Sequence, residues 1–149
     1  MNSRFSLAVH VLCLLASASD ERLTSEYIAT SIGTNAVVIR RLLAKLRRFG
    51  LVTSKSAGGG GWMLAHPAAD ITLDRVRQAM AEGEAAKIHR NSPHPACPVG
   101  KGVRQTLIDL YHRAEIALDR ELAGISVAGI LASVLKVEAT QSSTEQAVS

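Results

Sequence analysis

The chain has 149 residues, 47% of them hydrophobic, enough for one core of ordinary size with an appended element. Aromatic residues make up only 3%, which argues against gripping single strands by base stacking, and two cysteines are too few for a disulfide framework and lack zinc-finger spacing. The net charge of +4 is concentrated: Arg40, Arg41, Lys45, Arg47, Arg48 and Lys55 stand between Thr34 and Trp62 with no acid among them, and elsewhere 11 basic residues face 13 acidic ones. Such a local cationic surface suits a phosphate-backbone partner, double-stranded DNA rather than single-stranded RNA.

Along the chain, Ser3 to Ala16 reads as a helix with Phe5, Leu7, Ala8, Val11, Leu12 and Leu15 inward and Ser3 as its cap. Its apolar run and the following Ala16-Ser17-Ala18 imitate a signal peptide, but the lone Arg4 ahead of it and His10 within it argue against one. The run is also too short to span a bilayer. A cytoplasmic protein is expected, in keeping with its sparse cysteine. Thr24 suits the cap of a helix over Ser25 to Ile32, with Tyr27, Ile28 and Ile32 on one face and Gly33 ending it. Thr34 or Asn35 then caps a helix reaching about Phe49, with Gly50 closing it. Its expected buried stripe is Val38, Leu42, Leu46 and Phe49, broadened by Ile39 and Leu43. Two short helices joined by a tight glycine turn, the second cationic, form a helix-turn-helix pattern.

Leu51-Val52-Thr53 and Trp62-Met63-Leu64 can each extend as a short strand, and the glycines between them permit a tight reversal and close approach to another backbone. A hairpin directly after a recognition helix is a wing. Its glycines lead into a strand rather than a helix, so a nucleotide-cradling loop is excluded. Ile71 to Ala81 reads as a further helix started by Thr72, with Asp74 in its first turn. Pro93, Pro95, Pro98 and Gly100 break any period between Gly83 and Gly102. Val103 to Leu122 gives a long amphipathic helix, with Val103, Leu107, Leu110, Ala114, Ala117 and Leu118 along one side. Ser126 caps a short final helix, and Glu138 to Ser149 is rich in Ser, Thr and Gln and reads as disordered.

A solvated helix face ordinarily mixes acids among its bases, and this one does not. Toward its N-terminus, the end that enters a major groove, lie Asn35, Val37, Arg40 and Arg41. Arg40 or Arg41 suits bidentate bonding to guanine, and Asn35 an adenine edge or a phosphate. Lys45, Arg47 and Arg48 lie further back and suit phosphates, while Lys55, Ser56, Gly58 and Gly59 belong to the wing, over the minor groove or flanking phosphates.

The run NAVVIRRLLAKLRRFGLVTSKSAGGGGWMLAHP, Asn35 to Pro67, resembles the bacterial Rrf-two family of winged-helix regulators, which includes the iron–sulfur, nitric-oxide and cysteine-metabolism regulators. The shared hallmark is a helix ending in L-x-x-x-G-L-V, then a glycine-rich wing closing on an aromatic and L-A. The opening MNSRFSLAVHVLCLLA and the later ITLDRVRQAM are similar to the family's helices before and after, the former especially in its YwnA-like branch. The resemblance covers roughly residues 1–124. It implies a homodimeric DNA-binding transcription regulator whose long helix packs against its partner. Two departures stand out. Iron–sulfur members carry three closely spaced cysteines ahead of that helix, and this chain has only Cys97, within HPACPVGKG. Where the family's wing commonly has an arginine before its first glycine, this sequence has Ser56, with Lys55 one position earlier.

Cys97 precedes a helix start and has Lys101 and His94 near it, a setting that favours an anionic sulfur and hence an oxidant-sensing thiol; packing at the junction is the plainer reading. Cys13, inside the first helix, reads as an inert core residue. His89, His94 and Cys97 make a weak metal or iron–sulfur set, so no cofactor is expected. No nucleophile and base stand with a supporting third group, so no enzyme is expected either.

The expected fold is mainly α: a winged helix-turn-helix with a two-stranded β-wing over 1–83, a linker or sensor loop over 84–102, a dimerisation helix and short C-terminal helix over 103–137, and a tail over 138–149. The expected function is sequence-specific operator binding as a homodimer, as a repressor answering to an oxidant or small molecule. One alternative keeps the DNA binding but makes the protein a metal or iron–sulfur sensor using Cys97 with histidines, and the rival from another class is a non-catalytic adaptor whose basic helix meets an acidic protein.

Overall fold

A computed structural model describes residues 3–55, 60–81 and 94–147, without the side chains of Lys101 and 142–147. Its helices are α1 (Ser3–Ser17), α2 (Ser25–Ile32), α3 (Ala36–Arg48), α4 (Leu73–Ala81), α5 (Pro98–Ala123) and α6 (Val127–Ala147). The strands β1 (Val52–Lys55) and β2 (Gly61–Leu64) follow α3 and form one antiparallel pair, Val52 opposite Leu64 and Lys55 opposite Gly61. A single 3-10 turn at Ala68–Asp70 precedes α4 and was not expected from the sequence.

The apolar opening segment is the central core helix. Phe5, Ala8, Val11, Leu12 and Leu15 of α1 are buried against Ile28 of α2, Ile39, Leu43 and Leu46 of α3, and Val76 and Met80 of α4. Thr24 caps α2 by accepting from the Tyr27 amide, and Gly33 ends it at φ 74°, a left-handed conformation that costs glycine least. Tyr27, expected inward, is 55% exposed, because α2 buries only the Ile28 side of its first turn. On α3 the buried face is Ile39, Leu42, Leu43 and Leu46. Val38 and Phe49, placed inward by the sequence reading, lie about a quarter turn round from that face and remain exposed.

The C-terminal half departs more from expectation. α5 begins at Pro98, five residues before Val103, because Cys97 caps it and a proline at the first helical position loses no hydrogen bond. α6 runs on to Ala147, through the segment expected to be disordered. That stretch has no Gly or Pro after Gly129, and hydroxyls such as Thr140 Oγ1, 3.0 Å from the Lys136 carbonyl, bond back within the helix. Of the α5 stripe, Leu118 is half-buried and packs on the core, whereas Val103, Leu110, Ala114 and Ala117 face solvent. Among the described residues, no helix is long and apolar enough to cross a membrane.

Two connections fix α5 and α6 on the N-terminal unit. The Leu73 amide donates to the Ile125 carbonyl and the Val127 amide to the Ile71 carbonyl, both at 2.9 Å. Arg77 of α4 grips Asp119 of α5 through two parallel bonds of 2.6 and 2.7 Å, the fork geometry that suits guanidinium and carboxylate. The hydrogen bond from Arg77 holds the Asp119 carboxyl below its ordinary 3.8. A folded-state value below the unfolded one means that the pair contributes fully above about pH 4 and is lost as pH falls through the folded value. Asp119→Asn should therefore lower the unfolding free energy by roughly 1 kcal/mol at neutral pH, discounted for partial exposure. The melting temperatures of the two proteins should converge in acid, whereas a constant gap down to about pH 2 would assign the loss to packing alone.

Candidate nucleic-acid interface

The burial of Ile39, Leu43 and Leu46 decides which edge of α3 faces outward. Val37, Arg40, Arg41, Ala44, Arg47 and Arg48 are exposed there, and Lys45 is half-buried. Asn35 is the cap of α3: its Oδ1 accepts from the Val37 amide at 2.7 Å. That oxygen already has a structural partner, which a contact of Asn35 with an adenine edge, as considered from sequence, would have to share, and the side-chain amide N–H groups are what it could offer a phosphate.

The basic residues have different surroundings. Arg40 donates to the carboxylate of Glu26 on α2. This bond, followed by one from its own backbone amide, holds the Glu26 carboxyl below its ordinary range. The missing acid of the cationic stretch is thus supplied by the neighbouring helix, in a solvent-exposed pair that salt screens. Arg41 is exposed and has no ion pair among the described residues. Lys45 Nζ lies 3.5 Å from the Met80 carbonyl at the end of α4. Arg47 turns toward the wing, with Nη1 3.3 Å from Ser54 Oγ and the guanidinium 5.7 Å from the centre of the Trp62 ring, a cation–π arrangement.

Trp62 joins the wing to the helices. Its amide and carbonyl both bond Leu23, at 2.9 and 3.0 Å, extending the two-stranded sheet by one bridge just ahead of α2. Its indole N–H donates to Ser25 Oγ at 3.2 Å, the hydroxyl of a buried serine in the first turn of α2. Gly61 permits this approach. It stands at φ 149°, and a Cβ there would lie 3.0 Å from the Leu23 carbonyl oxygen. The close backbone approach expected of the glycine cluster therefore occurs at its last member. Lys55 is exposed at the far end of β1, while Ser56, Gly58 and Gly59 lie outside the described residues.

The sequence reading missed Ser25, Glu26 and the linking role of Trp62. The partners of each are 14 to 39 residues away, so no local pattern marks them. The fact that Trp62 is the chain's one tryptophan was the nearest signal.

Cys97 is the cap of α5, its sulfur accepting from the Gly100 amide at 3.3 Å, and it is half-buried. His94 is exposed, with Nδ1 accepting from the Ala96 amide at 3.2 Å. His89 lies outside the described residues, and among those described no three His, Cys, Asp or Glu side chains gather as a metal site. Cys13 is buried in the core, and that burial pushes its thiol up.

Comparison with known proteins agrees with this geometry. Residues 1–133 match the Rrf2 (Rrf-two) family, described as an iron-dependent transcriptional regulator. The provisionally assigned HTH-type transcriptional regulator YwnA of Bacillus subtilis is 36% identical over 131 residues, covering 88% of this chain and 96% of that protein. A crystal structure provisionally described as a DNA-binding protein superposes with a TM-score of 0.70 at 34% identity, over 87% of this chain and 99% of the other. A provisionally assigned transcriptional regulator from Lactobacillus plantarum superposes with a TM-score of 0.76 at 25% identity, over 100% of each chain. With its helix-turn-helix, its wing and a match spanning most of its length, this chain belongs to the Rrf2 family and is a DNA-binding transcriptional regulator, not an enzyme.

Proposed function

We propose that two copies of this chain pair through α5 and bind a roughly two-fold symmetric operator in the cytoplasm as a repressor, with oxidation of Cys97 releasing the DNA. The observation that carries the pairing is the outer surface of α5. Val103 and Leu110 on the expected stripe, with Tyr111 beside them, are each more than a third exposed on a single chain. An apolar surface of this kind along a helix calls for a partner, and a closed two-fold pair lets the same surface cover itself. Two α3 helices held this way enter successive major grooves, which is the geometry of a palindromic operator.

On each half-site the exposed N-terminal part of α3 reads bases and its rear engages phosphates. Arg41 carries base contact in this reading, since Arg40 is drawn to Glu26 and Asn35 caps the helix. Lys45, Arg47, Arg48 and Lys55 then engage the backbone. Arg41→Ala should relax base preference at one position per half-site and cost on the order of 1–3 kcal/mol. Arg48→Ala should weaken all sequences alike and flatten the salt dependence of binding to duplex DNA. Identical binding profiles for the two variants would remove the distinction, and affinity for duplex DNA that ignores salt would favour the adaptor reading.

Leu110 is 46% exposed on the single chain, so Leu110→Asp leaves its fold intact and acts only on the pair. A carboxylate buried without a partner at an apolar seam is strongly unfavourable. Sedimentation should report monomers, with operator affinity falling in step because one half-site supplies only part of the contacts. Intact dimers of Leu110→Asp would move the interface away from α5.

Cys97 holds the first turn of α5, beside the joint that sets the spacing of the two recognition helices. Attack of its sulfur on a peroxide breaks the O–O bond, leaves a sulfenic acid and releases water or an alcohol. The oxidised sulfur is a bulkier, altered acceptor for the Gly100 amide, and a shift there spoils simultaneous half-site binding. The iron implied by the family description does not fit the donors described here. One thiol and one imidazole already accept backbone hydrogen bonds, and no third ligand gathers with them among the described residues. The gating proposed for this chain therefore runs through sulfur alone. Peroxide should release operator DNA from the native protein, thiol reductant should restore binding, and Cys97→Ser should not respond. Release from Cys97→Ser by the same treatment would leave Cys97 as packing.

A further inference from the structure

Glu26 stands in the first turn of α2, and its carboxylate accepts from Arg40 on the outward edge of α3. Both side chains are more than half exposed, at 64% and 53%, so the pair lies in the solvent that a duplex on α3 would displace. Short bonds across the turn fix one helix against the other. The Gly33 amide donates to the Thr30 carbonyl at 3.2 Å and the Thr34 amide to the Ala29 carbonyl at 2.9 Å, while Ile28 and Ala29 bury the opposite side of α2. The carboxylate therefore keeps its place beside α3. We infer that Glu26 is a specificity-determining residue: it holds Arg40 away from phosphates and so lowers affinity for DNA of arbitrary sequence.

Stability does not account for this pair. One guanidinium nitrogen meets one carboxylate oxygen in water, an arrangement that contributes little to folding. The contrast is the Arg77–Asp119 fork, with two bonds and side chains only 18% and 33% exposed.

On DNA the same pair acts through charge. A cation that engages a phosphate strengthens binding by releasing a condensed counterion, whatever the sequence. Arg40 with Glu26 brings no net charge to the duplex. To reach a phosphate it must exchange one charged acceptor for another and leave the carboxylate facing the backbone, so the exchange gains little. Freed from Glu26, Arg40 would add a phosphate contact on any sequence, because a helix on random DNA settles where its cations meet the backbone. At a preferred site base contacts fix the register of α3, and Arg40 gains only where a phosphate falls within its reach. Removing the carboxylate thus favours wrong sequences over right ones, and keeping it widens the ratio between them.

This role rests on the reading above in which α3 faces the duplex, and the test separates the two. Equilibrium binding of the full chain is measured over a range of salt concentrations. The probes are a random-sequence duplex pool and the tightest duplex that the native protein selects from it. Glu26→Gln should bind the random pool about threefold to tenfold tighter near physiological salt, the release of about one counterion, and its log–log salt slope should steepen by about 0.9. Affinity for the selected duplex should rise less, so the ratio of the two affinities falls. In an Arg40→Ala background the same substitution should have a clearly smaller effect, because the gain runs through the freed arginine. Arg48→Ala, a phosphate contact in the reading above, is the reference and should flatten the slope. If it does, while Glu26→Gln leaves the random-pool affinity unchanged or weakens the selected duplex, the role of Glu26 is overturned and the reading stands. An equal effect of Glu26→Gln with and without Arg40 would reduce that role to net charge and overturn it as well. If Arg48→Ala and Glu26→Gln both leave every affinity unchanged, α3 is not the DNA face and reading and role fall together.

Discussion

The reading head of this protein depends on how one residue, Trp62, is held. Its backbone exchanges two hydrogen bonds with Leu23, its indole donates to the buried Ser25 hydroxyl, and Arg47 lies over its ring. The segment before α2, the start of α2, the end of α3 and the second wing strand therefore meet at a single residue. A β-hairpin of two four-residue strands is marginal alone, and here it borrows its position from the helices. Gly61 is the local condition for this, because any side chain there would press on the Leu23 carbonyl. The consequence for function is geometric. In the reading proposed here, strands tied to the helices in this way would present the base-reading and phosphate-binding groups in one register.

Around that head, α4, α5 and α6 form a second level of constraint. The backbone pairing of Thr72 with Ser126 and the Arg77–Asp119 fork set the direction in which α5 leaves the core. Leu118 and Leu122 anchor its C-terminal end, while Val103 and Leu110 nearer its start remain uncovered. Under the pairing proposed above, anchorage at one end and exposure along the rest would suit a helix that measures the distance between two heads. In the reading proposed here, the same helix begins at the thiol that gates it, so a chemical change at Cys97 acts where the lever is longest.

Much of the head was legible in the sequence because its signals are local. Caps and breakers at Thr24, Gly33, Asn35 and Gly50 fall one helix length apart, and the buried leucines of α3 repeat at helical spacing. The details that escaped have causes that local pattern does not contain. Val38 and Phe49 are as apolar as their neighbours, and only the angle at which α3 docks on α1 puts them outside. Pro98 reads as a breaker until it is seen to stand at the first position of a helix, where its missing amide is harmless. The polar composition of residues 138–147 resembles that of a disordered tail, yet it lacks any residue that stops a helix. For the candidate interface, charge concentration marked the basic face of α3 but not the partners of its side chains. The pairing of Arg40 with Glu26 and of Arg47 with Ser54 gives similar cations different surroundings, and it depends on contacts between elements.

Native-state hydrogen exchange at the Leu23 and Trp62 amides tests most directly whether head and wing are one unit. If the Trp62 junction is the constraint on which the head depends, both amides open only with global unfolding and exchange as slowly as that of Leu43 in the core of α3. Exchange at the rate of the Lys55 amide, near the end of the wing, would mean that the wing opens independently of the helices and would contradict the account.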